Sequence, residues 1–458
     1  MPAIVTVNVS EQIAPTPSTL QQTGVFISQG ATTTAAGTRT LLTQLSSLAS
    51  ILTGALPLSA LTWSSGVVTA TASAAHNITI GDSIELTISG ALPSGYNGTY
   101  LCTATTSTQF TYSLVSNPGT ASTFGTWTPE DVTELNAMNS TFFGQGNNAP
   151  VYVLELGLGS VTEGVTYLGT WLANNPYTIY TACVPREWDG NSSFLSLIAE
   201  YEAPTSMFYF FVTTTISTYS SYTALMKCVM ANVEAPSIPT TEFDAAAWMY
   251  QVLSMQPSNT NKVPPFAFRY LFGVTPYPTA GNNTLLTQLQ AANINYVATG
   301  AEGGISNTIT WLGDTLDGND FLYWYSVDWM QIQSNLSLSN AVINGSNNPI
   351  NPLYYNQYGI NSLQSVESNV VQDAITFGLV TGTLTLTTLD SPTLDQQINL
   401  GTYANQAVVN CVPFVTYAEA NPGDYKIRTY RGMSVIFIPA TGFIAIVLNL
   451  LVSQFINL

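Results

Sequence analysis

The sequence predicts an α/β (α+β) core, a sheet flanked by helices, with an inserted small all-β module and extended N- and C-terminal β arms. Three observations predict it. From residue 151 onward, short apolar runs alternate with segments of helical periodicity, the pattern of a sheet covered by helices. Residues 56–128 break that pattern with β-branched runs set between Gly, Pro and Asn turns. Both ends of the chain are rich in β-branched apolar residues, most of all residues 429–458.

Residues 1–40 read as an N-terminal arm and linker. Ile4, Val5, Val7 and Val9 lie in one short strand, residues 24–28 form a second, and residues 29–38 are a Gly/Ala/Thr connection. Leu41, Leu42, Leu45, Leu48, Ile51 and Leu52 recur at helical spacing, so residues 40–52 are predicted to be an amphipathic helix. Residues 41–55 and 129–240 make the first part of the α/β core.

Between them, β runs at 67–71, 78–88, 99–104 and 109–114 are separated by turn residues such as Gly81-Asp82 and Asn117-Pro118-Gly119. Residues 56–128 are therefore an inserted module with its own core, which projects from its host. Helical periodicity returns at 130–143 through Val132, Leu135, Met138 and Phe142. Strands follow at 151–156, 179–184 and 207–213, with helices around 165–172 and 194–201 and a further helix over 219–233.

Residues 241–428 make the second part of the core. They hold a helix at 243–253, an extended run at 264–274, a helix at 285–292 and a strand at 296–298. Two longer helices, 321–342 and 360–380, are joined by the Asn/Pro-rich loop 344–358, and strands follow at 384–389 and 407–415. Residues 429–458 form a C-terminal hairpin or arm: runs at 433–438 and 443–456 flank Pro439-Ala440-Thr441-Gly442, where Pro fixes φ and Gly permits reversal. The second run, with Phe443, Ile446 and Leu448, is apolar on both faces. Such a strand needs cover, and pairing with another copy is the expected cover.

Composition narrows function. Only 7% of the 458 residues are charged, against 46% hydrophobic and 11% aromatic. A surface built from Ser, Thr, Asn, Gln and Tyr suits a chain buried largely against copies of itself. The net charge of −18, with 8 Lys and Arg, argues against nucleic acid and against anionic membrane surfaces. The apolar runs are too short or too broken to insert directly into a membrane. Cys102, Cys183, Cys228 and Cys411 are scattered, with neither a disulfide framework nor a zinc pattern, and read as buried thiols. The first cation is Arg39, so the expectation is no secretory signal and assembly in the cytoplasm.

Little invites chemistry. His76 is the sole histidine and reads as a polar turn residue. Residues 144–149 fit G-x-G-x-x-A but lie between a helix and a strand, the reverse of a dinucleotide loop. Asp314, Asp317, Asn319 and Asp320 miss the calcium-loop spacing and read as a solvated turn capping the next helix. Glu155, Glu187 and Trp188 are the carboxylates and aromatic a glycan-binding or hydrolytic protein would use, and packing is the stronger reading. No enzyme activity, cofactor or metal is expected. Lys426, Arg428 and Arg431 gather three of the eight cations ahead of the terminal hairpin. They suit docking on an acidic surface of a neighbouring copy, and on an extended segment Lys426 and Arg428 would face the same way.

Four stretches stand out together: Thr128-Pro-Glu-Asp-Val-Thr-Glu-Leu-Asn-Ala-Met-Asn-Ser-Thr-Phe-Phe143 followed by Pro150-Val-Tyr-Val-Leu-Glu155, then "NINYVATG" at 293–300, Asp328-Trp329, and Pro352-Leu-Tyr-Tyr-Asn-Gln-Tyr-Gly-Ile360. They resemble the sheath proteins of contractile phage tails. The resemblance covers roughly residues 129–440 and excludes the β insert. It implies a homo-oligomer of stacked hexameric rings around a tail tube protein, joined to baseplate and tail terminator proteins. N- and C-terminal arms would add strands to neighbouring sheets, and contraction would be rotation of rigid cores. By that reading Ile4, Val5, Val7, Val9, Lys426, Arg428, Arg431, Val435, Phe437, Phe443, Ile446 and Leu448 make inter-subunit contacts. Competing expectations are a non-contracting tail or baseplate structural protein and a cell-surface assembly protein of S-layer or adhesin type.

Overall fold

Strands that are apolar on both faces can present neither face to water, and the protein places them in the interior of an eight-stranded sheet between two helical layers. The computed structural model describes residues 19–222, 226–302 and 304–444. In chain order these form β1 (Gly24–Ser28) and β2 (Arg39–Leu42), then the insert strands β3 (Leu56–Ser64), β4 (Val67–Ala72), β5 (Ser83–Ser89), β6 (Gly98–Ala104), β7 (Gln109–Ser113) and β8 (Thr126–Pro129). The core continues with α1 (Asp131–Gln145), β9 (Val151–Glu155), α2 (Val161–Asn174), β10 (Thr181–Cys183), α3 (Ser192–Ala199), β11 (Tyr209–Thr214), β12 (Val229–Val233), α4 (Asp244–Leu253), α5 (Asn283–Ala291), β13 (Asn295–Glu302) and β14 (Ile305–Trp311). The last part holds α6 (Phe321–Asn347), α7 (Gln357–Thr376), β15 (Val380–Thr381), β16 (Thr383–Thr387), α8 (Ser391–Asn399), β17 (Gln406–Cys411), α9 (Phe414–Ala420), α10 (Pro422–Lys426), β18 (Met433–Ile436) and β19 (Ile438–Pro439).

The main sheet runs β14-β13-β12-β11-β10-β1-β9-β2. Its inner pairs are parallel, and β14 and β2 close the two edges antiparallel. Side chains alternate between the layers, as the pleat demands. Phe26, Tyr209 and Phe211 pack with Phe142, Trp248 and Phe321 of α1, α4 and α6. Val25, Phe210 and Val212 pack the other way, against Leu168, Phe194 and Leu289 of α2, α3 and α5.

The insert is a closed barrel in the order β3-β4-β7-β6-β5-β8, with Phe110 and Trp127 fully buried in a core of its own. It begins and ends side by side, Leu56 pairing with Trp127. The separate all-β module read from the turn spacing is therefore present, and β3 and β8 are strands that the spacing did not single out.

Several local expectations are overturned. Residues 24–28 are no arm: β1 sits between β10 and β9 in the middle of the sheet. The Gly/Ala/Thr connection after it starts buried, at Gln29, Ala31 and Thr32. Residues 40–52 form β2 and a 3-10 helix, Leu45–Ser50, because pairing with β9 outweighs the local leucine spacing. Within 219–233, residues 229–233 are the fully buried strand β12, where sheet burial overrides helix-forming Met and Ala. Residues 264–274 belong to no strand, with one isolated bridge from Tyr270 to Ile309. Residues 407–415 split at Pro413 into β17 and α9. The run 433–438 does not lead a free hairpin: Val435 pairs with Val409 and Ile438 with Thr381 of the same chain. Ile4, Val5, Val7, Val9, Ile446 and Leu448 lie outside the described residues.

Candidate assembly surface

The site is built from the long helix pair and the small sheet it carries. Apolar residues of α6 and α7 pack the pair together, and Gln364 pins α7 to the sheet through bonds from Nε2 to the carbonyls of Thr387 (2.9 Å) and Val409 (3.0 Å). The small sheet runs β16-β17-β18. Among the described residues, β16 and β18 each pair on one side only, so their outer backbone groups are free to take another strand.

Between α6, α7 and the 428–437 segment lies a cleft of about 960 Å³, lined by Met330, Leu338, Leu353, Ile360, Val435 and Phe437 among others. Polar side chains line it too, and two of them are left with an unpartnered oxygen. Glu367 is buried and accepts a bond from Ser334 Oγ, while its Oε2 has no partner among the described residues. Gln331 is buried with Oε1 likewise unpartnered. Burial pushes the Glu367 carboxyl up, against the pull of the Ser334 bond.

Above the cleft the chain turns through α9 and α10. Tyr355 Oη donates to the Thr429 carbonyl (2.7 Å), Tyr417 Oη donates to Asp424 (2.6 Å), and Tyr430 Oη donates to the Val412 carbonyl (2.6 Å). These bonds hold the cation-bearing turn against the sheet. Tyr354, Tyr358, Tyr425 and Ile427 stay exposed around it, and Phe443 and Ile444 are exposed further off, past the Gly442–Asp320 bond at the start of α6. An apolar and aromatic patch of that kind marks an interaction surface.

The structure brings Arg428, Arg431, Val435 and Phe437 together on the cleft and leaves Lys426 exposed beside it. The geometric premise for the cations needs correction. Lys426 ends the short helix α10 and Arg428 has φ +56°, so the two are not on one face of an extended segment. Arg431 is held 3.4 Å from Asp424, whereas Lys426 and Arg428 make no ion pair among the described residues. Most other cations are spent internally. Arg186 bridges Glu134 (3.2 Å) and Glu234 (2.9 Å). Arg39 stacks on Tyr152, and Lys227 donates to the Pro204 carbonyl (2.9 Å) under Trp324.

The residues considered for chemistry are occupied elsewhere. Glu155 is buried and accepts from Ser28 Oγ, Thr32 Oγ1 and the amides of Gly30, Thr32 and Gly157. Trp188 is buried and donates to Gln29 (2.7 Å). Glu187 is pushed up to about 7 by burial and by Glu134 and Glu85. His76 is buried, its Nδ1 accepting from the Ile78 amide. The 314–320 turn is not solvated at its start: Asp314 is 4% exposed and pushed up to about 7 by burial, Asp320 and Asp317. Asp320 does cap α6 as expected. Among the described residues, no group of three or more His, Cys, Asp or Glu is placed to hold a metal, and no helix is long and apolar enough to cross a membrane. All four cysteines are free and buried.

Sequence reasoning missed the unpartnered Gln331 and Glu367, which the helical pattern of α6 and α7 does carry as polar residues on an otherwise packed face.

No family model matches the chain, and no curated protein does. Among solved structures, the chain is similar to the crystal structure of the sheath tail protein Lin1278 from Listeria innocua. The identity is 9% and the TM-score 0.41, over 78% of this chain and 85% of that one.

Proposed function

We propose that the chain is a structural subunit of a contractile phage tail sheath. Copies polymerise as stacked hexameric rings around a tail tube, joined by exchange of terminal strands. Rigid-body rotation of the cores contracts the polymer and drives the tube into the host envelope. The observation that carries this reading is the small sheet β16-β17-β18, open on both flanks among the described residues, beside a cleft with apolar walls at Met330, Leu338, Ile360 and Phe437. The β-rich runs 4–9 and 443–456 supply strands of the right kind, and the sequence resemblance over 129–440 supports the assignment. Lys426 and Arg428 dock on an acidic surface of a neighbouring copy, which a chain of net charge −18 offers in abundance.

The subunit acts without catalysis or cofactor. Its partners are other copies, the tube, baseplate and tail terminator proteins. It resides in the virion tail and is assembled in the host cytoplasm.

Electron microscopy of the purified chain tests this. Long hollow tubes of wide bore are expected, and only monomers at every concentration would sink the reading. Removing residues 445–458 should leave folded monomers, and tubes from that shortened chain would rule out strand exchange. Lys426→Glu with Arg428→Glu should block assembly without unfolding the monomer.

A further inference from the structure

We propose that the cationic turn of one copy docks on α8 of the next. Lys426 and Arg428 meet Asp390 and Asp395, and Tyr425 and Ile427 meet the aliphatic side chains beside those carboxylates. The inference rests on the assembly reading above and names the surface that the turn recognises.

The turn combines two chemistries. Tyr425, Lys426, Ile427 and Arg428 are consecutive and all exposed, and neither cation has an ion-pair partner among the described residues. Arg431 is already held by Asp424. With exposed Glu419 counted as well, the turn carries three cations against two acids. It is a cationic and apolar patch on a chain of net charge −18.

The helix α8 carries the complement. Asp390 caps it by accepting from the Thr393 amide (3.1 Å). Asp395 lies three positions before Ile398, a spacing that makes the two neighbours on the helix surface. Both carboxylates are exposed, and neither is in an ion pair among the described residues. Leu386, four residues before Asp390, is exposed, as are Ile398 and Leu400. Residues 380–411 contain no other carboxylate and no Lys or Arg. Lys262, an exposed cation, packs beside Gly378, ahead of β15.

Both patches are held in place before they meet. Asn410 of β17 pins the approach to α8: its Oδ1 accepts from the Leu389 amide (2.7 Å) and Thr387 Oγ1 (2.9 Å), and its Nδ2 donates to the Leu389 carbonyl (2.9 Å). The turn is fixed by the bonds of Tyr355, Tyr417 and Tyr430. Surfaces already ordered lose little freedom on docking. The patches also belong to opposite edges of one small sheet, since α8 follows β16 and the turn leads into β18. Contact between two different patches repeats from copy to copy, closing into a ring or running on as a filament. Opposite charges orient that encounter and reject the wrong face.

Charge reversal tests this. Lys426→Glu with Arg428→Glu should cut tube formation roughly tenfold or more, and so should Asp390→Asn with Asp395→Lys, in which Asn keeps the α8 cap. Carrying all four changes in one chain should restore tubes to within about threefold of wild type, because the turn is then acidic and α8 cationic. An equimolar mixture of the two blocked chains should polymerise for the same reason. Tubes from the α8 variant at the wild-type rate would overturn the proposal, and so would a chain with all four changes that stays blocked. Should a charge variant fail to fold by circular dichroism, Lys426→Cys mixed with Asp395→Cys decides. Oxidised tubes should yield a peptide linking positions 426 and 395 of different chains, against a background of native cysteines that are all buried, and its absence overturns the proposal. The assembly reading fails separately, if the wild-type chain forms no tubes at all.

Discussion

Asp320 accepts a hydrogen bond from the backbone amide of Gly442 at 3.0 Å, joining positions 122 residues apart. The same carboxylate caps α6 by accepting from the Leu322 amide at 2.8 Å. One side chain thus starts the longest helix and fixes the point from which the C-terminal run departs. Burial pushes its pKa up, while the bonds from Leu322, Gly442 and Phe266 pull it down.

Replacing Asp320 with Ala removes both bonds. The expected loss is about 1–3 kcal/mol in urea unfolding, from a lost helix cap and an unmade buried bond. Gly442→Ala should expose the departure point, because a Cβ there would meet Pro265 Cβ at 2.6 Å and Asp320 Oδ2 at 3.1 Å, while the bond that caps α6 runs from the Leu322 amide to Oδ1. Faster protease clipping after residue 439, with α6 unchanged by circular dichroism, is the measurement.

Asp314 makes stability depend on pH. Its folded pKa is raised from 3.8 to about 7, so the folded chain holds this proton more tightly than the unfolded one. Its contribution is complete below about pH 4 and is lost as pH rises through 7. Asp314→Asn should therefore gain on wild type as pH increases, by on the order of 1–3 kcal/mol at pH 8. Denaturant midpoints at pH 5 and pH 8 check it, and an unchanged difference between the two would refute it.

Glu155 collects five donors, from Ser28 at the end of β1, from Gly30 and Thr32 in the loop after it, and from Gly157. Glu155→Gln keeps the shape but turns an NH₂ group toward donors. A destabilisation of about 2–4 kcal/mol follows, since buried donors lose a charged acceptor. Thermal unfolding should show the main-sheet transition falling, with the barrel transition in place.

The barrel should be removable. Its ends are adjacent at the Leu56–Trp127 pair, and its core is separate from the two layers around the main sheet. Joining residues 55 and 130 through a short Gly/Ser linker should leave the rest folded, with the near-UV signal of the main core retained. In the full chain, Phe110→Ala should cost the barrel about 3–5 kcal/mol and leave the other transition where it was.

Much of the architecture was legible because period and burial agreed. β9, β11, α1 and α2 fall close to where alternation and helical spacing put them. The insert announced itself through its turns. What failed depended on partners far away in sequence. β1 resembles an arm until β9 and β10, more than 120 residues on, flank it. β2 looks helical until it pairs with β9, and β12 reads as a helix until the sheet closes over it. At the candidate surface, Val435 and Phe437, expected from their apolar pattern to contact another copy, line a cleft of their own chain. The facing of Lys426 and Arg428 was misjudged because Arg428 takes a positive φ that no local pattern signals. Gln331 and Glu367 were invisible because being unpartnered is a property of three-dimensional neighbours.

The barrel's six strands close into a ring, so no strand stands at an open end of the ladder, and the shortest seams are the two-pair contacts of β3 with β8 and of β6 with β7. In the proposed polymer, ring closure would turn the barrel's contacts with identical copies toward side chains rather than added strands. That would let its outer loops vary while the strand-pairing surfaces of the core stay the same.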